Sequence, residues 1–130
     1  MPDNMQVELV AADRVVWSGE ATMVIARTTD GEVGVLRDHA PLLSVLVPGV
    51  VEVVTVENER QVAAVDGGFL SVANNHVSIL AEHAELSSEI DLNTARQELE
   101  RARSAGEDDE DAGDAALRAE ARILAVEKAS

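Results

Sequence analysis

The stretch Gly31-Glu32-Val33-Gly34-Val35-Leu36-Arg37-Asp38-His39-Ala40-Pro41-Leu42-Leu43 decides how the rest of the chain is read. Gly31 and Gly34, three apart, let the backbone turn or bulge where a side chain would clash. Pro41 restricts Ala40 to extended backbone, so no helix runs through this point. The segment reads as a shaped loop between strands, with Glu32, Arg37, Asp38 and His39 near its surface. Loops carried on a rigid sheet are where contacts with partners concentrate.

Apolar runs broken by turn residues lie on both sides. Val7 and Leu9 alternate with Glu8, the pattern of a strand with one face buried. Asp13-Arg14 reads as a turn, Val15-Val16-Trp17 resumes the apolar run, and Ser18-Gly19 punctuates it again. Met23-Val24-Ile25-Ala26 is nearly continuous, as in a strand covered on both faces or one beside a subunit interface. After the loop, Leu42 to Val47 stops at Pro48-Gly49. Val50 to Glu57 and Gln61 to Val65 flank Glu57-Asn58-Glu59-Arg60, a hairpin with a four-residue connection. Asp66-Gly67-Gly68 marks a tight bend. Lacking a following helix and a Lys-Ser or Lys-Thr pair, it is not a phosphate loop. Phe69 to Ala73, a turn at Asn74-Asn75, and His76 to Glu82 complete the series. About eight to ten short strands at this spacing predict an antiparallel sandwich or barrel over residues 1–87.

The composition changes near Ser87. No valine follows until Val126, and alanine, arginine and glutamate take over. Ser88 or Asp91 can cap a helix from Leu92 to Ser104, with Gly106 as its terminator. Leu92, Ala95, Leu99 and Ala102 share one face of it. A second helix from about Ala115 to Lys128 places Leu117, Ala121 and Leu124 on one stripe, with Arg118 and Arg122 on a neighbouring face. Between the two, Glu107 to Asp111 is an acidic run with no reason to fold alone. Isolated helices of ~12–15 residues are marginal in water, so residues 88–130 must dock on something. The alanine-rich stripes predict weak docking and a mobile tail.

Composition excludes several classes. The 130 residues are 46% hydrophobic but include only one Trp, one Phe and no Tyr, so aliphatic side chains fill the core. There is no cysteine, hence no disulfide or thiolate metal site. His76 and His83 fit no metal spacing. A net charge of -15 opposes nucleic acid and anionic lipid, leaving a basic partner surface or a merely solvated exterior. No apolar run reaches the ~20 residues of a membrane helix, and no leader pattern opens the chain. The reading is a soluble, cytoplasmic protein. No Gly-x-Ser-x-Gly turn, triad or paired carboxylates occur in context, so no catalytic residue is assigned. The same absences, and the lack of an aromatic platform, count against a free β-sandwich enzyme or sugar-binding module.

The ordered set Gly31 to Leu43, then Pro48-Gly49, then Val65-Asp66-Gly67-Gly68-Phe69-Leu70-Ser71-Val72, then Val77-Ser78-Ile79-Leu80-Ala81-Glu82-His83-Ala84-Glu85 resembles the epsilon subunit of bacterial F-type ATP synthases. Val15-Val16-Trp17-Ser18-Gly19 sits where that family places its second strand. The resemblance implies a ten-stranded N-terminal sandwich and a two-helix C-terminal domain. It implies a non-catalytic central-stalk subunit that joins the gamma subunit to the c-ring, peripheral at the cytoplasmic face of the membrane. Glu32, Arg37, Asp38 and His39 then fall at contact positions. The tail helices would reach the alpha/beta catalytic head and hinder ATP hydrolysis.

The resemblance implies no cofactor apart from ATP, which some members bind on the folded tail through Ile/Leu-Asp-x-x-Arg-Ala. Here the segment reads Ile90-Asp91-Leu92-Asn93-Thr94-Ala95-Arg96. Asp91 and Ala95 match, but Thr94 stands at the arginine position, and Arg96 lies about 200° further around a helix. Arg118 and Arg122 fall where ATP-binding members carry basic residues on the second helix. Glu85, Asp91, Arg118 and Arg122 are therefore the residues a nucleotide would meet, and a nucleotide-sensing module is the alternative reading.

Overall fold

The computed structural model describes residues 4–106 and 110–129. Nine strands run in chain order: β1 (Met5–Val10), β2 (Val15–Thr28), β3 (Gly31–Leu36), β4 (Leu42–Leu46), β5 (Gly49–Thr55), β6 (Arg60–Val65), β7 (Gly68–Ala73), β8 (His76–Ala81) and β9 (Ala84–Leu86). A 3-10 turn at Ser87–Glu89 leads into helices α1 (Leu92–Ser104) and α2 (Glu110–Ala129).

The long strand β2 makes the sandwich. Its first half pairs with β1, and its second half pairs with β3 on one side and β5 on the other. One layer is therefore β3-β2-β5-β6-β9 and the other is β2-β1-β8-β7-β4, with β2 crossing between them. A bulge between Ala21 and Met23 lets the strand change layers. Alternation along β1, β7 and β8 sends Met5, Val7, Leu9, Leu70, Val72, Val77 and Ile79 into the space between. Each such side chain stabilises the fold by roughly 1.5–3 kcal/mol.

Several expectations are corrected. The nine strands among the described residues fall within the eight to ten expected, but β1 pairs with β8 in parallel, so the sandwich is not wholly antiparallel. Gly31 to Leu36 is a strand, and only Arg37 to Pro41 remains as loop. Gly34 simply faces Ile25 across the ladder, whereas Gly31, at φ +112°, makes the turn. Ser18-Gly19 does not interrupt β2. Gly19 leaves room for the Trp17 indole, which would sit 3.0 Å from a Cβ placed there.

The bend at Asp66-Gly67-Gly68 is as expected, and so is α1, capped by Asp91 and followed by Gly106 at φ +94°. Helix α2 begins at Glu110, earlier than its apolar stripe suggests, so Glu110 and Asp111 of the acidic run are helical, while 107–109 lie outside the described residues. Helix α2 is buried on two faces: Ala121 and Ala125 pack on the sandwich, Ala112 and Ala119 lie on the opposite face beside α1, and Leu117 and Leu124, about half exposed, line a groove with Arg27, Val47, Pro48 and Gly49. Alanine allows the close backbone approach that leucine would prevent.

Candidate functional site: an apolar rung, two loop stations and a charged cleft

Five strands of the second layer carry one continuous apolar row on their outer face. Val15 faces Val10, Val10 faces Leu80, Leu80 faces Phe69, and Phe69 faces Val45. At ~4.8 Å per strand the row is roughly 19 Å long. Phe69, the only phenylalanine, is 51% exposed, with Val15, Leu80 and Val45 similarly open. The adjoining row reads Ser18, Glu8, Ser78, Ser71 and Leu43, the last 73% exposed. Small serines beside large apolar residues leave a low, shallow face. A contiguous exposed apolar patch of this kind is a candidate interaction surface.

The residues singled out in 31–43 divide into two stations. Glu32 begins β3 opposite Arg27, next to a turn in which the buried Thr28 hydroxyl donates to the Gly31 carbonyl at 2.8 Å and accepts from the Asp30 N–H at 3.1 Å. Val47, before Pro48-Gly49, donates to the Arg27 carbonyl at this same end. Arg37, Asp38 and His39 follow the other end of β3, roughly 16 Å of strand away. There Asp38, at φ +65°, is braced on the β7–β8 turn. Its N–H donates to Asn75 Oδ1 at 2.6 Å, and Asn75 Nδ2 returns a bond to Asp38 Oδ1 at 3.1 Å. The His39 ring Nδ1 donates to the Ala40 carbonyl at 2.7 Å, and Arg37 lies 3.6 Å from the Asp38 carboxylate. The loop is thus braced by side-chain hydrogen bonds, and both stations are exposed.

A third region lies where α2 crosses the sandwich. A cleft of about 610 Å³ is lined by Asp13, Arg14, Asp66, Glu82, His83, Glu85, Arg118 and Arg122. A smaller pocket beside it shares Glu85 and Arg122 and adds Asp91, Thr94 and Glu98. Glu85, Arg118 and Arg122 are therefore brought together, and Asp91 joins Glu85 and Arg122 but not Arg118. Arg122 already bonds two carboxylates, Nε to Glu85 at 2.8 Å and Nη1 to Glu98 at 2.6 Å. The Asp91 carboxylate accepts from the Thr94 N–H at 3.2 Å as the α1 cap. Burial raises the pKa of Asp66 above its ordinary value, partly offset by Arg122, Arg118 and His83.

Sequence reasoning did not find the apolar rung, Asn75, Glu98 or Glu52. The rung had a signal: β4 reads Leu42-Leu43-Ser44-Val45-Leu46, apolar at both parities where a half-exposed strand needs only one.

Comparison with known proteins agrees with this architecture. The model of the ATP synthase delta/epsilon chain beta-sandwich domain matches residues 4–87. The ATP synthase epsilon chain of Streptomyces avermitilis is 53% identical over 97% of this chain and 98% of its own length. That of Rhodococcus jostii is 50% identical, again over 97% of this chain and 98% of its own. A chain of the Euglena gracilis mitochondrial ATP synthase, from a structure of OSCP, F1 and c-ring, superposes with a TM-score of 0.75 at 26% identity, over 98% of this chain and 79% of that one. A chain from the central stalk and c-ring of the Tetrahymena thermophila enzyme shares the fold, with a TM-score of 0.62 at 19% identity. A β-sandwich carrying two C-terminal helices and an apolar outer face is the class of protein defined here. The chain belongs to the ATP synthase epsilon-chain family.

Proposed function

We propose that this chain is a non-catalytic coupling subunit of the central stalk, docking the gamma subunit through the apolar rung and meeting the c-ring through its exposed loop stations. The rung on the outer layer carries the reading. It presents Phe69 amid aliphatic neighbours on five hydrogen-bonded strands. Rotation driven by proton flow would then pass to the catalytic head with the stalk turning as one body. Glu32 at one station and Arg37, Asp38 and His39 at the other are the contact residues in this reading. Among the described residues no helix is long and apolar enough to cross a membrane, and attachment at its cytoplasmic face would be peripheral, through partners. The C-terminal helices, α1 and α2, are the part proposed to reach the alpha/beta head and hinder ATP hydrolysis. Nucleotide sensing is less well supported, because Arg122 is already occupied by Glu85 and Glu98.

Two substitutions test the reading. Phe69→Glu should weaken binding to gamma at least about tenfold, as removal of a central interface anchor does, while the isolated chain keeps its melting temperature. Glu32→Lys should lower ATP-driven proton pumping in the assembled enzyme with hydrolysis maintained. Undiminished gamma binding by the Phe69 variant would overturn the docking face. Unfolding of the Glu32 variant would sink the contact reading at that station.

A further inference from the structure

Helix α2 meets the sandwich with few fully buried side chains, and Leu117 and Leu124 only flank the contact beside Val47, Pro48 and Gly49. Ala121 and Ala125 rest on Val62 and Ala64, with Val50 and Ile90 at the margin. Between the helices the buried side chains are Ala95, Ala102, Ala112 and Ala119, again methyl groups. A methyl removes little area from water, so this hold is thin.

Charged contacts surround it. The Arg122 guanidinium joins three elements at once: its own helix, β9 through Glu85, and α1 through Glu98. Its side chain is only 24% exposed, so the pairs are less screened than surface ion pairs. A second point lies towards the C-terminal end of α2. Glu52, on the outer face of β5 with its side chain 11% exposed, sits between Arg60 at 3.2 Å and Lys128 at 3.6 Å. Lifting the helices off the sandwich as a pair would break Arg122–Glu85 and Lys128–Glu52. Arg122–Glu98 would survive, because both residues travel with the tail.

We propose that Arg122 is a latch that closes the tail on the sandwich without any ligand, with Glu85 as its keeper, Glu98 as the residue that aims the guanidinium, and Lys128–Glu52 as a second fastening. At Arg122 the protein's own carboxylates fill the positions that an anion in the cleft would need. Salt should therefore loosen the tail, and an anionic ligand should not be required to hold it down.

The test is hydrogen exchange of the full-length chain, comparing wild type with R122Q, R122K, E98Q and E52Q. R122Q should speed exchange along α2 about tenfold or more while strands β5 to β8 keep their protection. R122K retains the charge without the two-pronged fork and should fall between wild type and R122Q. E98Q and E52Q should each loosen α2 less than R122Q does. Raising salt to about 0.5 M should loosen wild-type α2 and add little in R122Q. Wild-type exchange of α2 in R122Q would overturn the latch. An equal rise across the strands would show a general stabiliser instead of a latch, and E98Q, on the more exposed side, then repeats the measurement with a milder change. Protection of wild-type α2 by magnesium ATP at about 1 mM, absent in R122Q, would overturn the ligand-free closure.

Discussion

A Cβ placed on Gly68 would collide with the Leu80 carbonyl oxygen and lie 2.9 Å from the Ala81 Cα, and its φ of +133° already excludes most side chains. Gly31 is also left-handed, at φ +112°, but a Cβ there meets nothing within 4 Å. The two therefore separate crowding from backbone strain. Gly68→Ala should cost roughly 3 kcal/mol or more, and Gly31→Ala about 1 kcal/mol, read from urea unfolding midpoints at unchanged slope. Equal losses would mean that the Leu80 strand yields to the new methyl. Both glycines were legible as turn residues in the sequence. Their unequal importance was not, because the obstacle at Gly68 is backbone from β8.

Among the elements, the turn between β1 and β2 is tied to the turn before α1 by one forked pair. Arg14 donates to both oxygens of Glu89, at 2.9 and 2.8 Å. That hydrogen bond, then the one from the Leu86 N–H, holds the Glu89 pKa below its ordinary 4.5. A lowered folded-state value means stability that is present above the ordinary value and lost as pH falls through the lowered one. Asp66 runs the other way. Its raised value means that the folded state bears a cost above that pKa, and the cost disappears on protonation. Stability measured against pH should accordingly fall for Glu89→Gln and rise for Asp66→Asn near pH 7, the Asp66 variant converging on wild type below the ordinary 3.8 and the Glu89 variant only once pH falls through the lowered value. Parallel curves at every pH would show that neither carboxyl is linked to folding. In the helices, Asp91 as cap and Gly106 as terminator were readable because helix ends have local chemistry. The inward face of α2 was legible only in part: periodicity pointed to Leu117, Ala121 and Leu124, of which Ala121 is buried on the sandwich while the two leucines stay half-exposed beside Val47, Pro48 and Gly49.

For the whole molecule, the tail is the part to which regulation is proposed. If it regulates, an enzyme assembled with a chain truncated after Ser87 should hydrolyse ATP faster than the full enzyme and assemble equally well. Unchanged hydrolysis would leave the sandwich with a coupling role alone. R122Q in the assembled enzyme separates release of the tail from its removal. The sequence by itself determined the class of fold, the change from strands to helices after Leu86, most turns and the helix caps, because these depend on residues adjacent in the chain: apolar alternation, glycine at positive φ, a carboxylate at a helix start. Its ordered motifs also carried the resemblance to the family. Tertiary structure alone decided the parallel pairing of β1 with β8, the division of Glu32 from His39 by the length of β3, and the alignment of five apolar residues into one rung. It also decided that Arg122 meets Glu85 and Glu98. Register between strands and the docking of a helix join residues tens of positions apart, and no local pattern specifies which distant partner a side chain will face.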